Sequence, residues 1–256
     1  MTLPLINQFL FPCEIWETRP AERADFEERL LNGWHIARCT QSVKVNLLDK
    51  IDTPDKAAQY IHDGRYNVQI ENYIEKSLSN IKSHYTLARQ SMPSVTPDIL
   101  SKYQRLYSSG IDMFKVDSAI TSGDYLADNQ ILFHGGGLLN NTKAFDSFVT
   151  SRPLSTSLCP VKAFINGAWR GKYYNEGEVN LIILTAKKIS KKAFVFRMNG
   201  TDKGHEKEIL ISSGATLTII SKYTIANDFI VYGMGTLAGQ ALKKSVSFNV
   251  THAIVT

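Results

Sequence analysis

The sequence predicts an α+β fold, with a mainly helical first half and a β-rich second half. Three observations predict it. Apolar residues recur at helical spacing up to residue 120 and at strand-like spacing from residue 131 onward. All eight prolines lie at or before Pro160, so the two halves differ in composition as well as in period. No internal repeat or low-complexity linker divides the 256 residues, and with 43% hydrophobic residues the chain can bury a sizeable core.

Residues 21–34, AERADFEERLLNGW, carry acidic residues early, apolar residues at helical spacing and an Asn-Gly stop, the pattern of a helix. Residues 54–63 (PDKAAQYIHD), 66–90 (YNVQIENYIEKSLSNIKSHYTLARQ) and 97–120 (PDILSKYQRLYSSGIDMFKVDSAI) predict helices likewise, the last broken near Ser108 to Gly110. From residue 131 the segments ILFHG, RPLSTSL, EVNLIILTA, KAFVFRM, KEILIS, ATLTIISKYTI, DFIVYGM and SVSFNV are short and rich in β-branched and aromatic residues. Gly, Asn, Asp and Ser turns separate them, which predicts about eight strands. The expected organisation is a helical extension over residues 1–54 and one α+β domain over residues 55–256.

Composition excludes several function classes. The formal charge is +5, but the basic residues are scattered, with short clusters such as AKKISKK (186–192). Such a surface tolerates an anionic ligand without the basic stripe that nucleic acid requires, so no nucleic-acid partner is expected. Cys13, Cys39 and Cys159 are odd in number, form no CxxC pair and have no histidine at ligand spacing. That pattern argues against a disulfide framework and against a bound metal. No apolar run approaches bilayer length, and the N-terminus MTLPLINQFLFPCEIWETRP lacks the basic start and continuous apolar core of a signal peptide. A reducing cytoplasm is the expected compartment, with no membrane insertion. Delivery without a cleavable signal into a host-cell cytoplasm fits the same features.

Three strings in the β half carry the chemistry: ILFHGGG (131–137), RPLSTSL (152–158) and HEKEILI (205–211). On an extended chain residues two apart share a face, so Glu206 and Glu208 look into one cleft while Lys207 looks away. Each string also has a plain explanation: a solvated Glu-Lys-Glu triplet, a half-buried polar strand edge, and a tight turn at Gly135 and Gly136. Two carboxylates side by side on one strand do not flank a sugar from opposite faces, which disfavours a glycosidase.

Taken together, the strings resemble the mono-ADP-ribosyltransferase family, in its arginine-serine-glutamate class. STSL and EKEILI match that class, DGRYNVQIENYIEKSL resembles its Tyr-x-x-Ile-Asn helix, and MFKVDSAITSGDYLADNQILFHG resembles its helix, loop and first core strand. The resemblance spans roughly residues 55–250. It implies a core of two packed, mainly antiparallel sheets, NAD as substrate, release of nicotinamide, and transfer of ADP-ribose to a protein side chain, arginine being favoured by Glu-x-Glu. It further implies that Glu208 stabilises the sugar cation, that Ser155 holds Glu208, and that Glu206 faces the acceptor, with Thr156 and Ser157 supporting. The segment FINGAWRGKYYNEGE (164–178) corresponds to the family's phosphate-nicotinamide loop. Phe164, Trp169, Arg170 and Tyr173 are its expected NAD contacts, Lys172 adds charge, and Gly135 and Gly136 admit the ligand to the backbone.

One departure stands out: His134 occupies the position of the class's arginine. Arginine offers a permanent charge and a planar fork of donors, whereas histidine titrates near neutrality. The sequence therefore leaves three functions open: the transferase, an NAD glycohydrolase with water as acceptor, and a binding module that keeps the fold without the chemistry. The transferase leads, as a bacterial effector or toxin or a phage enzyme.

Overall fold

Residues 9–53 build one unit around an antiparallel ribbon in which β1 (Cys13–Pro20) pairs with β2 (Ser42–Ile51), from Cys13 opposite Ile51 to Pro20 opposite Ser42. The intervening α1 (Arg23–Leu31) starts from a capping box of Glu22 and Asp25. Arg19 clamps the Asp25 carboxylate with two hydrogen bonds of 2.6 and 2.9 Å. The expected helical extension thus holds its one expected helix between two strands that the sequence pattern does not predict. The computed structural model describes residues 1–33, 42–106, 110–199, 203–234 and 241–256, so Trp34, Cys39, the expected break at Ser108 and Gly200 to Asp202 of the loop before Glu206 lie outside the described residues.

Residues 1–8 join 54–256 in the second unit. Leu3 donates its N–H to the Tyr125 carbonyl at 2.8 Å, and the Gln130 side chain brackets Ile6, accepting from its N–H and donating to its carbonyl. The helices of this unit are α2 (Pro54–Asp63), α3 (Asn67–Ser79), α4 (His84–Gln90), α5 (Asp98–Leu106), α6 (Met113–Ile120), α7 (Pro160–Ala168) and α8 (Lys172–Glu176). The helical run expected over 66–90 is two helices because Ser83 caps the second, its Oγ accepting the Thr86 N–H. Asp112 caps α6 in the same way through the N–H groups of Phe114 and Lys115. Among the described residues no helix is long and apolar enough to cross a membrane.

The strands are β3 (Asp124–Tyr125), β4 (Ile131–Gly135), β5 (Ser147–Val149), β6 (Leu154–Ser157), β7 (Glu178–Ala186), β8 (Lys192–Val195), β9 (Glu208–Ile211), β10 (Thr216–Met234) and β11 (Ala241–Val255). They run in one nine-strand order, β3-β8-β9-β6-β4-β7-β11-β10-β5. Among these strands, as described, β7 and β11 are the one parallel pair. The two sheets implied by the resemblance are the two halves of this order, and they meet at β4 and β6 through a single Cα pair, Phe133 with Ser157. β7 is buried continuously from Val179 to Leu184, as expected of a central strand with a parallel neighbour.

The expected phosphate-nicotinamide loop is mostly helix: α7, a 3-10 turn over Trp169–Gly171, and α8. Pro160 at the start of α7 suits its first turn, where no N–H is needed. α7 lies so close to β4 that a Cβ on Gly135 would stand 2.0 Å from the Ala163 carbonyl oxygen, which makes Gly135 a packing glycine. Phe164 of α7 stacks on Phe248 of β11 at 5.8 Å and meets Tyr173 of α8 at 5.7 Å, with Phe229 of β10 closing the cluster 5.1 Å from Phe248. Phe164 and Tyr173, expected as NAD contacts, therefore belong to the aromatic core. Burial drives the Tyr173 hydroxyl pKa far upward, and that hydroxyl has no hydrogen-bond partner among the described residues.

Phe248→Ala is expected to lower the unfolding free energy by about 3–5 kcal/mol, because a fully buried ring leaves a cavity. Tyr173→Phe removes a polar group that nothing satisfies and should raise stability by about 1 kcal/mol. Urea denaturation measures both, and a Tyr173→Phe variant weaker than the parent would show that the hydroxyl is bonded in solution.

Candidate active site

The Glu-x-Glu string does not lie on one extended strand. Gly204–Glu206 form a 3-10 turn, Lys207 adopts the left-handed conformation with φ 51°, and β9 begins only at Glu208. Lys207 does look away from the cleft, but into the protein. Its side chain is 1% exposed, and its Nζ donates to Glu75 Oε2 on α3 at 3.1 Å and to the His205 carbonyl at 3.3 Å. Glu206 pairs with Lys203 at 2.9 Å. The two glutamates are still close enough for the charge of Glu206 to disfavour ionisation of Glu208.

Glu208 is 5% exposed, and each carboxylate oxygen accepts one hydrogen bond. Ser155 Oγ donates to Oε1 at 2.5 Å, and Gln104 Nε2 donates to Oε2 at 2.6 Å. The β6/β9 pairing explains the first contact. Ser157 stands opposite Glu208, and Ser155, two residues back on the same face, reaches it diagonally. Burial pushes the Glu208 pKa up to about 7, and the Ser155 and Gln104 hydrogen bonds only partly oppose that.

The rest of the Ser-Thr-Ser string faces inward. Thr156 Oγ1 donates to the Ile209 carbonyl, and Ser157 Oγ donates to the Glu206 carbonyl while accepting the Cys159 N–H. Both hydroxyls fix the backbone around Glu208, leaving Ser155 as the member of the string that lines a cavity.

That cavity, of about 340 Å³, lies between the end of β4 and the start of β6. His134, Gly135 and Gly136 line one side, Arg152 and Ser155 another, and Lys172 and Glu176 of α8 a third. Gly136 has φ 124°, a conformation that favours glycine. His134 Nδ1 lies 2.7 Å from the Ser155 carbonyl oxygen. A carbonyl carries no proton, so Nδ1 is the donor, and in the neutral ring Nε2 keeps its lone pair. Burial lowers the His134 pKa, and the charges of Lys172 and Arg152 lower it further against the raising effect of the Ser155 bond. His134 is therefore a neutral hydrogen-bonding group at pH 7, and Arg152 and Lys172 are the cations of the cavity wall.

Trp169 and Arg170 are elsewhere. They line a separate groove with Tyr232 and Met234, where Trp169 is 63% exposed. Of the 164–178 segment, Lys172 and Glu176 reach the cavity. Sequence reasoning missed Arg152, although it stands in the RPLSTSL string three residues before Ser155. It also missed Gln104, for which a helix 104 residues from Glu208 gives no local signal.

A carboxyl whose pKa is raised by folding binds more protons in the native state than in the unfolded chain. Its stabilising contribution is complete below the ordinary value of 4.5 and is lost as the pH rises to about 7. Glu208→Gln lacks that loss. The variant should gain stability over the parent between pH 4.5 and 7 by roughly 3 kcal/mol, at about 1.4 kcal/mol per pKa unit. Chemical denaturation across pH measures the gain, and a constant difference would contradict the burial argument.

No protein-family model matches the sequence, and no curated protein matches it. Solved structures do resemble the fold. The chain is similar to the enzymatic component C2-I of the C2 toxin from Clostridium botulinum, at 10% identity over 67% of this chain, with a TM-score of 0.37. That match covers 45% of the C2-I chain, less than half its length. It is similar to Plx2a, an ADP-ribosyltransferase toxin from Paenibacillus larvae, at 13% identity over 74% of this chain and 96% of that one, TM-score 0.43. It is also similar to the Vis toxin, an ADP-ribosyltransferase from Vibrio splendidus, at 11% identity over 80% and 86% of the two chains, TM-score 0.33. Likeness at this level concerns shape, and function rests on the site itself.

Proposed function

We propose that the protein is a mono-ADP-ribosyltransferase that moves ADP-ribose from NAD to a protein side chain, with arginine the favoured acceptor, and releases nicotinamide. The observation that carries this reading is the buried Glu208 carboxylate, hydrogen-bonded to Ser155 at the wall of a cavity that also presents two cations. Cleavage of the bond between C1′ of the ribose and the nicotinamide nitrogen leaves positive charge on the sugar, as in glycoside hydrolysis. An ionised carboxylate in a poorly hydrated site stabilises that charge more than it stabilises the ground state. Nicotinamide leaves with the bonding electron pair, the acceptor nitrogen bonds to C1′, and the acceptor proton passes to Glu206.

The wall suits the nicotinamide-ribose-phosphate half of NAD. Arg152 and Lys172 supply positive charge for the diphosphate, and His134 Nε2, a neutral acceptor, suits a hydroxyl or amide donor. The histidine thus hydrogen-bonds where an arginine would form an ion pair, and the phosphate charge falls to neighbouring residues. The further reading, an effector or toxin delivered into another cell, extends this proposal and rests on the sequence resemblance alone.

Incubation of the protein with labelled NAD and cell lysates tests it, following free nicotinamide and label on protein together. The parent should give both. Glu208→Gln should reduce both by about 100-fold or more, the range for losing a preorganised electrostatic group, and Glu206→Gln should reduce protein label far more than nicotinamide release. The rate should rise with pH through about 7 as Glu208 ionises. Nicotinamide release without labelled protein would mean a glycohydrolase, and neither signal would leave a binding module.

A further inference from the structure

The sequence predicts α5 only as a helix, yet it reaches β9 and the residue just before β6. Its inward stripe is Leu100, Tyr103 and Gln104, spaced as one helix face requires. Leu100 is fully buried, as an anchor should be. The next two are polar groups taken out of water, which is unfavourable unless each is bonded. Tyr103 donates its hydroxyl to the Pro153 carbonyl at 3.1 Å, between Arg152 and the start of β6. Gln104 donates Nε2 to Glu208 at 2.6 Å at the start of β9.

We propose that Gln104 is a positioning residue: from α5 it fixes the Oε2 edge of Glu208, leaving the Oε1 edge to Ser155, the residue that lines the cavity. This rests on the assignment of Glu208 to the sugar. The residue type suits the task. A lysine or arginine at this place would hold the carboxylate but cancel the charge the sugar cation needs, whereas an amide orients without neutralising. An apolar residue would leave a buried carboxylate edge without a donor. Glutamine also tolerates either protonation state, because its own carbonyl can accept from Glu208 when that group carries a proton. Four groups act on the ionisation of Glu208 from around it. Ser155 on β6, Gln104 on α5 and the Lys203 charge favour the carboxylate, while Glu206 in the turn before β9 disfavours it.

The test compares Gln104→Leu and the near-isosteric Gln104→Glu with the parent, each first shown to be folded by circular dichroism. The readouts are kcat and KM for nicotinamide release across pH, and titration of the Glu208 side-chain carbon by NMR. Gln104→Leu should lower kcat about 10–100-fold, the scale of a misplaced catalytic group, with KM for NAD changed less than about threefold. The Glu208 midpoint should move up from about 7 in Gln104→Leu, and further in Gln104→Glu, which adds a like charge. A helix that merely packs would change stability and leave the midpoint and kcat alone. Values within twofold of the parent for kcat, with an unmoved midpoint, overturn the proposal. If the parent itself releases no nicotinamide, the functional reading fails separately. The NMR titration then decides the positioning role: an upward shift in Gln104→Leu supports it, and an unchanged midpoint overturns it.

Discussion

The structure depends on holding one carboxylate out of water. A buried Glu208 is unfavourable unless both of its oxygens are bonded, and the bonds come from elements far apart in sequence: Ser155 on β6 and Gln104 on α5. Much of the surrounding architecture keeps these three groups in register. The β6/β9 pairing sets Ser155 and Glu208 on one face, and the Thr156 and Ser157 hydroxyls pin the turn before β9 and the strand beyond it. Lys207 buries its own charge against Glu75 so that the chain can turn from Glu206 into the strand.

The place where the two halves of the sheet meet gives the carboxylate a neighbouring cavity. β4 and β6 pair in register at one position, Phe133 with Ser157, and the cavity beside them is lined by the end of one strand and the approach to the other. The Ser155 carbonyl fixes His134 as a neutral donor at Nδ1. Hydrogen-bonding capacity and charge are thereby separated: His134 and Ser155 present neutral polar atoms, while Arg152 and Lys172 present cations, with the Glu176 carboxyl beside Lys172. A ligand with an uncharged sugar and a charged diphosphate matches that separation.

Elements whose signal is local were legible in the sequence. Residues 54–63 and 178–186 are the helix and strand that their patterns predict, and Ser155 and Glu208 come together as expected. What was illegible depended on distant packing or on single backbone angles. ATLTIISKYTI and DFIVYGM form one strand, because β10 crosses its polar Ala-Asn-Asp interruption with register shifts between Thr224 and Phe229. The segment 164–178 looks like a loop with its glycines and charges, but Gly167 is there for contact with Tyr173, and Phe164 and Tyr173 join the aromatic core while Trp169 stays exposed. The left-handed angle at Lys207, which breaks the expected i, i+2 geometry, has no glycine to announce it. Gln104 is a polar residue on a helical stripe whose partner only the fold supplies.

The most direct test of the central claim is a crystal structure of the protein with an NAD analogue whose glycosidic bond cannot break. The account predicts the nicotinamide ribose 2′-hydroxyl within about 3 Å of the Glu208 carboxylate, with the diphosphate against Arg152 and Lys172. An analogue seated instead in the groove of Trp169 and Tyr232, or on any surface away from Ser155, would contradict it.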